Sequence, residues 1–216
     1  MRQRKLTPYL LIAPAFIVMF AVTLYPTLYS FYLSLNRVRR GELEFVGLNN
    51  FQIILGSSDF WESLRLTLIF GLFFVLITIA FAFVLALLFN RGLPLGSVYM
   101  TLIFIPWVLS EIVSGVTWRW MTYRDYGVIQ NLIGPLFGDV TLITKPAGAM
   151  GIVIAASVWR STAYVMLLIL AGLQTIPGEL YEAASIDGAN RWKSFWRITW
   201  PLVRPTTLVT IVLLSI

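Results

Sequence analysis

Two charged residues, Glu111 and Arg160, lie well inside long apolar stretches of the sequence. An ionisable side chain at such a depth costs free energy, so it normally faces a protein interior, a charged partner or a water-filled path. At about 1.5 Å of rise per residue, the two side chains lie within about 5 Å of the same height along their predicted helices. They therefore either neutralise each other as an ion pair or line a path for a solute, and the sequence leaves both possibilities open.

A polar stripe surrounds Arg160, because Ser157, Arg160, Ser161 and Tyr164 recur at the spacing of one helical face. Hydroxyls, a guanidinium and an aromatic ring suit a sugar, whose hydroxyls form hydrogen bonds and whose apolar face stacks on a ring. The same residue types also pack helices together in membranes. We predict that this stripe and Glu111 form a substrate path. An unpaired Arg160 would instead favour an anionic solute, such as a sugar phosphate or glycerol phosphate.

The composition identifies the class of protein that must position these residues. The 216 residues are 58% hydrophobic and 12% charged, which indicates a polytopic membrane protein. Cysteine and histidine are absent, which excludes disulfides, Cys/His zinc sites and Ser-His or Cys-His catalytic pairs. We predict no catalytic residue, no metal and no cofactor. The net charge of +6 is scattered among loops, as a membrane protein requires, so nucleic acid is not a predicted partner.

Apolar runs predict an all-α transmembrane helical bundle that forms a single domain over residues 1–216. The predicted helices are Leu6–Leu35, about Ser63–Phe89, about Val98–Trp120, about Gly148–Leu173 and a final run Leu202–Ile216. That final run spans about 22 Å, which is less than a hydrocarbon core of about 30 Å. We therefore expect about five helices, with the sequence cut inside the fifth.

The amino-terminal segment sets the expected orientation. Met1–Lys5 is short and basic, and the apolar run behind it is too long for a signal peptide, so an uncleaved first helix is predicted. Pro26 should kink this helix or end its regular part. Basic residues divide almost equally between the two sides, but the basic amino-terminal flank favours an amino terminus inside the cell.

A polar interruption between the last two apolar runs, residues 176–201, has strong helix signals. Pro177 and Gly178 end the preceding helix, and Glu179–Ile186 reads as a short helix. Gly188 is a natural carboxyl-terminal cap, and Asn190 can cap a second short helix, Arg191–Trp200. By composition alone, the segment could be an ordinary amphipathic loop between two membrane helices.

The order of residues in this segment is similar to that of a known family. The matching residues are Glu182-Ala183-Ala184, Asp187-Gly188-Ala189, Phe195, Ile198 and Pro201. Together they resemble the EAA loop of binding-protein-dependent ABC transporter permeases, and Asp-Gly-Ala looks like the carbohydrate-transporting branch. The run Phe45–Phe51 also resembles the segment that follows the first helix in sugar permeases. Trp200 departs from the pattern, since the family usually has a small aliphatic residue there.

This resemblance implies a carbohydrate importer that works by alternating access in the inner, cytoplasmic membrane of a prokaryote. Its partners would be a second permease subunit, two ABC ATPase subunits, an extracytoplasmic solute-binding protein and membrane lipid. The small Ala183 and Ala184 would allow α-helical docking on the ATPase, Glu182 would fix the loop, and Gly188 would set its turn. The family usually has a sixth helix. The chain has no phosphate-binding loop of its own, so a partner must hold the nucleotide.

Two other functional classes remain as alternatives. An intramembrane enzyme could use Glu111, Asp125 or Asp139 as an acid or base, although the sequence places no second carboxylate near Glu111. A non-catalytic scaffold is the other alternative. Solute-stimulated ATP hydrolysis in the assembled complex would separate an importer from both.

Overall fold

The computed structural model describes residues 7–39, 41–129, 131–132 and 146–215. The chain divides into two compact units, Met1–Leu66 and Thr67–Ile216, with the boundary inside one long helix. Among the described residues, four helices are long and apolar enough to cross a membrane, or five if a bent pair counts as one. The predicted helical membrane bundle is therefore confirmed.

The first unit begins with one apolar helical run. It consists of α1 (Thr7–Met19), a π-helical turn (Phe20–Leu24) and α2 (Tyr25–Ser34). The π turn comes directly before Pro26, which cannot donate to the carbonyl one turn back and whose ring crowds it. The α-helical hydrogen bonding is interrupted before Pro26, but the helix continues through Pro26 to Ser34, so the proline does not end it.

A β-hairpin follows α2. Strand β1 (Asn36–Arg39) pairs antiparallel with β2 (Glu42–Phe45), and helix α3 (Asn49–Leu55) comes next. The Asn50 side chain donates to the carbonyl oxygens of Ser34 and Asn36, at 2.9 Å each. One amide thus ties α3 to the end of α2 and the start of the hairpin.

The second unit is built on long helices. Helix α4 (Ser58–Phe89) begins five residues before the predicted start and continues into this unit. It is followed by α5 (Gly96–Val108), α6 (Glu111–Met121), α7 (Pro146–Gln174), α8 (Gly178–Ile186), α9 (Arg191–Ser194) and α10 (Trp200–Ser215). Residues of α4, α7 and α10 form the hydrophobic core, among them the fully buried Ala82, Met166 and Val203.

Helices α7 and α10 lie close together in this core. A methyl group added to Gly172 would lie 2.9 Å from Oγ1 of Thr206, so the glycine permits contact that alanine would not. Phe83 of α4 packs nearby against the ring of Trp200, with centroids 5.9 Å apart. The tryptophan that departs from the family pattern therefore contributes to the core.

The prediction of one continuous helix over Val98–Trp120 is wrong. Helices α5 and α6 are bent by 97° at a break between Val108 and Glu111. Leu109 and Ser110 have extended backbone, and the Ser110 hydroxyl accepts from the backbone N–H of Val113 at 3.3 Å. The break is stable because serine caps the new helix, whose first residue is an acid that favours the positive end of the helix dipole.

The separation predicted between Arg191–Trp200 and the final run is also wrong. Helix α9, a π-helical turn (Phe195–Thr199) and α10 form one helical run of 25 residues. At 1.5 Å per residue this is about 37 Å, so the run can cross a hydrocarbon core and the argument from shortness fails. This π turn ends two residues before Pro201, just as the first ends two residues before Pro26.

Candidate functional site

A cavity of about 650 Å³ lies between α4, α6 and α7. Its described lining residues are Phe74, Glu111, Ser114, Gly115, Trp118, Arg119, Thr122, Ala149, Ile152, Val153, Ala156, Ser157, Arg160 and Ser161. Two helices thus supply almost the whole lining, and each presents one face to it. The charged and hydroxyl-bearing residues predicted from the sequence can be located relative to this cavity.

Glu111 and Arg160 form an ion pair at the cavity wall. Nη1 of Arg160 lies 2.9 Å from Oε1 of Glu111. Glu111 is the first residue of α6, at the helix break, and its side chain is 80% exposed, so it is not deep in a continuous helix as predicted. Arg160 is about one-third exposed, and its buried Nε has no hydrogen-bond partner. The predicted ion pair is therefore confirmed, and both residues line the cavity. That the cavity is a path for a solute stays a prediction.

The structure separates the predicted stripe on α7 into two parts. Ser157, Arg160 and Ser161 line the cavity. Tyr164 does not, since its ring stacks on Trp107 of α5, with centroids 5.6 Å apart and planes within 7°. The aromatic residue of the stripe therefore holds two helices together, and the face that stacking would offer a solute is covered.

The face of α6 was missed by the sequence reasoning. Glu111, Ser114, Trp118 and Thr122 recur every three or four residues and all line the cavity. Ser114 is 6% exposed, and its hydroxyl oxygen is buried without a hydrogen-bond partner. Trp118 presents an indole to the cavity and meets Trp159 edge to face at 6.0 Å. The same three-and-four spacing that revealed the stripe on α7 could have found this second face.

The lining supports binding of a polar molecule and offers little for acid–base catalysis. Among its described residues, Glu111 is the one carboxylate, whereas Arg119 and Arg160 are cations. Asp125 is exposed and lies outside this lining, and Asp139 lies outside the described residues. The Ser157 and Ser161 hydroxyls and the Arg160 guanidinium, which line the cavity, are groups that can form hydrogen bonds with a hydroxylated ligand.

The segment 176–201 is the second candidate site, and the helix caps predicted in it are confirmed. Helix α8 starts after the extended Pro177 and ends where Gly188 takes a positive φ of 73°. The N–H of Gly188 donates to the carbonyl of Ser185, and the Asn190 side chain accepts from the N–H of Lys193 at 2.9 Å. Glycine is favoured at this cap because a side chain there strains the left-handed conformation.

Contacts within this segment show which face of α8 is free. Tyr181 is turned inward, with its hydroxyl 2.9 Å from Oγ1 of the buried Thr199 in the π turn. Glu182, Ala183 and Ile186 are exposed, and Ile186 is 86% exposed. An exposed isoleucine beside small residues is a typical centre for a protein contact.

Comparisons with known proteins agree on the family. Residues 78–216 match the family described as "Binding-protein-dependent transport system inner membrane component". The trehalose/maltose permease MalF of Thermococcus litoralis is 35% identical over all of this chain and 74% of its own length. The trehalose permease SugA of Mycobacterium tuberculosis (strain H37Rv) is 33% identical, over 98% of this chain and 68% of its own.

Two further similar proteins are named for acidic solutes. The sn-glycerol-3-phosphate permease UgpA of Agrobacterium fabrum is 34% identical, over 96% of this chain and 72% of its own. A chain in the crystal structure of a bacterial alginate ABC transporter, in complex with an alginate-bound periplasmic protein, has the same fold, with a TM-score of 0.82 at 24% identity. That match covers 98% of this chain and 72% of the other.

The family match covers well over half of the chain, and the relatives align with nearly all of it. The apolar helices and the capped segment 176–201 fit the same family. The chain belongs to the binding-protein-dependent transport system inner membrane components, and it is a permease-type transport subunit rather than an enzyme.

Proposed function

We propose that this chain is the permease subunit of an ATP-driven importer for a carbohydrate, and that the cavity between α6 and α7 forms part of the solute path. The single observation that carries the cavity assignment is that Ser157, Arg160 and Ser161 of one α7 face lie together in the wall of a cavity of about 650 Å³. Hydroxyls and a guanidinium can form hydrogen bonds with a sugar, while the Trp118 ring offers an apolar surface.

The relatives support a carbohydrate as the solute. Those named for trehalose/maltose, trehalose and lactose are 33–35% identical to this chain. In the proposed path, Ser157, Ser161 and Arg160 contact the solute from α7, and Glu111 keeps Arg160 neutralised. Tyr164 acts indirectly and does not contact the solute in this proposal, since its stacking on Trp107 fixes the position of α7.

An anionic solute is the second candidate, and one observation favours it. The two cations Arg119 and Arg160 face one carboxylate, Glu111, so the described lining carries one excess positive charge. A relative named for sn-glycerol 3-phosphate, and an importer of the acidic polysaccharide alginate that has the same fold, support this second candidate. The sequence favours an anionic solute only if Arg160 is unpaired. Because Arg160 forms an ion pair with Glu111, we favour a neutral sugar.

Uptake by cells that carry the whole importer tests the cavity. Ser114→Leu and Ser161→Leu each place a bulky side chain in the cavity and should reduce uptake at least tenfold while the complex still assembles. Thr117→Leu is the matched control, because Thr117 is exposed on α6 and lies outside this lining. Wild-type uptake in both serine variants would reject the cavity as the path. Comparing trehalose with glycerol 3-phosphate as the solute separates the neutral candidate from the anionic one.

The remaining parts of the proposal concern partners and orientation. We propose a complex of two permease subunits, two ATPase subunits and a solute-binding protein, with the amino terminus and α8 on the cytoplasmic side. The exposed face at Glu182, Ala183 and Ile186 would dock on the ATPase, with Ala184, Asp187 and Ala189 shaping the helix end. The free α8 face and the basic residues around it support this orientation.

Crosslinking tests the docking face directly, because the chain contains no cysteine and a single one can be introduced. Ile186→Cys should form a crosslink to the ATPase in membranes that contain the whole importer. Tyr126→Cys, an exposed residue in the turn after α6, is the control and should form none. Labelling of Ile186→Cys from outside intact cells by a membrane-impermeant thiol reagent would contradict the proposed orientation.

A further inference from the structure

A second cavity, of about 460 Å³, lies where α4 ends, beside α8 and α9. Its polar lining includes Asn90 and Arg91 after α4, and Tyr181, Ser185 and Arg191 around the segment 176–201. It shares no lining residue with the cavity between α6 and α7. The substrate path therefore does not account for it.

The electrostatics of this cavity favour an anion. Arg91 and Arg191 both line it, and no aspartate or glutamate is among its described lining residues. In the part of the chain that the structure describes, neither arginine forms an ion pair or a side-chain hydrogen bond. Two guanidinium groups that face one space without a counter-charge attract an oxyanion, which each can bind with two hydrogen bonds.

The other polar side chains that line this cavity differ in whether their hydrogen-bond donors are already used within the protein. The Ser185 hydroxyl donates to the carbonyl of Glu182 at 2.7 Å, and the Tyr181 hydroxyl bonds to Thr199. Both are occupied within the protein. Asn90, by contrast, has no side-chain hydrogen bond among the described residues, so its amide joins the two arginines as a free donor.

The position of the cavity identifies the source of the anion. It lies at the ends of α4 and α7, the two longest apolar helices, and Leu87, Leu173 and Phe195 supply an apolar wall. Trp192 and Trp196 lie next to it in sequence and are 68% and 48% exposed, as is typical of an aromatic belt at the membrane surface. An apolar wall beside paired arginines at this level matches a phospholipid, whose phosphate lies just outside the acyl chains.

We propose that this cavity binds the phosphate of an anionic phospholipid, with Arg91, Arg191 and Asn90 as its ligands. Basic pockets between the ends of membrane helices are suited to such headgroups. Because the lining joins α4 to α8 and α9, a bound lipid would link the end of a membrane span to the segment that carries the exposed α8 face. The proposal concerns lipid, so it does not depend on which solute the importer carries.

Native mass spectrometry of the purified whole importer tests the proposal, with dioleoyl phosphatidylglycerol as the probe. The double variant Arg91→Gln/Arg191→Gln should bind this lipid about 30-fold more weakly than wild type, since each basic residue contributes about fivefold. The control Lys193→Gln/Arg204→Gln removes the same charge from residues outside the cavity and should bind as wild type. Arg91→Lys/Arg191→Lys keeps the charge and should retain most of the binding.

Three results would overturn the proposal. Equal loss in the cavity variant and its control would show general surface attraction, and no loss in either would show that the arginines are not ligands. Displacement of phosphatidylglycerol by an equal concentration of inorganic phosphate would assign the site to a free anion. Wild-type protein should also prefer phosphatidylglycerol to phosphatidylcholine, which tests the proposal even if the glutamine variant fails to assemble.

Discussion

Breaking the ion pair between Glu111 and Arg160 should cost more from one side than from the other. The Glu111 carboxylate is 80% exposed, so in Arg160→Gln it returns to water, and the loss should be about 0.5 kcal/mol. In Glu111→Gln the amide oxygen can still accept from Arg160, but the guanidinium, which is two-thirds buried, loses its counter-charge. Removing one partner of a buried ion pair costs about 3–5 kcal/mol, and partial exposure lowers that to about 1–2.

Thermal unfolding of the purified complex measures this difference. For a chain of this length, about 1 kcal/mol shifts the midpoint by about 2–4 °C, so Glu111→Gln should unfold a few degrees below Arg160→Gln. The double variant should resemble Arg160→Gln, because the uncompensated charge is then gone. If Arg160→Gln were the less stable single variant, the reasoning from exposure would be wrong. Glu111→Gln should also raise uptake of an anionic solute relative to a neutral one, since it leaves two uncompensated cations at the cavity.

Four further substitutions have defined outcomes, and a fifth serves as a control. Gly188→Ala should cost about 1–2 kcal/mol of stability through its φ of 73° alone, because nothing lies within 4 Å of the added methyl group. Gly178→Ala is the control: its position is equally open but has no positive φ, so the midpoint of thermal unfolding should not change. Gly172→Ala places a methyl 2.9 Å from a threonine oxygen of α10 and should cost about 1–3 kcal/mol, measured by the same unfolding assay. Tyr181→Phe and Thr199→Val should each lower stability by about 1 kcal/mol, and a double-mutant cycle that finds no coupling between them would show that their 2.9 Å contact contributes nothing.

The long helices could be predicted from the sequence because apolar length alone determines them. What could not be predicted is where each helix changes its hydrogen bonding. Pro106 and Ser110 are compatible with either a kink or a full break, and the spacing of apolar residues does not distinguish the two. The hairpin at Asn36–Phe45 was missed because each strand has only four residues and is mostly exposed, although β2 (Glu42–Phe45) alternates polar and apolar residues.

The candidate site could be predicted in part. The stripe on α7 was found because Ser157, Arg160 and Ser161 stand out against an apolar helix. The matching face of α6 was not found, because the third span was treated as one helix whose charge alone mattered, so Ser114 was read as part of an apolar run. Tyr164 was assigned to the path although it does not line the cavity. Helical spacing places a residue on one face of a helix, but it cannot reveal that the ring stacks on Trp107 of another helix.

The contacts around α7 indicate which element moves when the importer works as proposed. Helix α7 is unbroken from the segment 176–201 to Arg160, a distance of 14 residues or about 21 Å. At Gly172 it lies too close to α10 for independent sliding, and α10 is continuous with the π turn that Tyr181 of α8 contacts. We therefore expect a displacement of α8 to carry Arg160 with it. Helix α6 should follow less, because two extended residues join it to α5 and the exposed Glu111–Arg160 ion pair is only a weak link to α7. The cavity should thus open and close at the break in the third span.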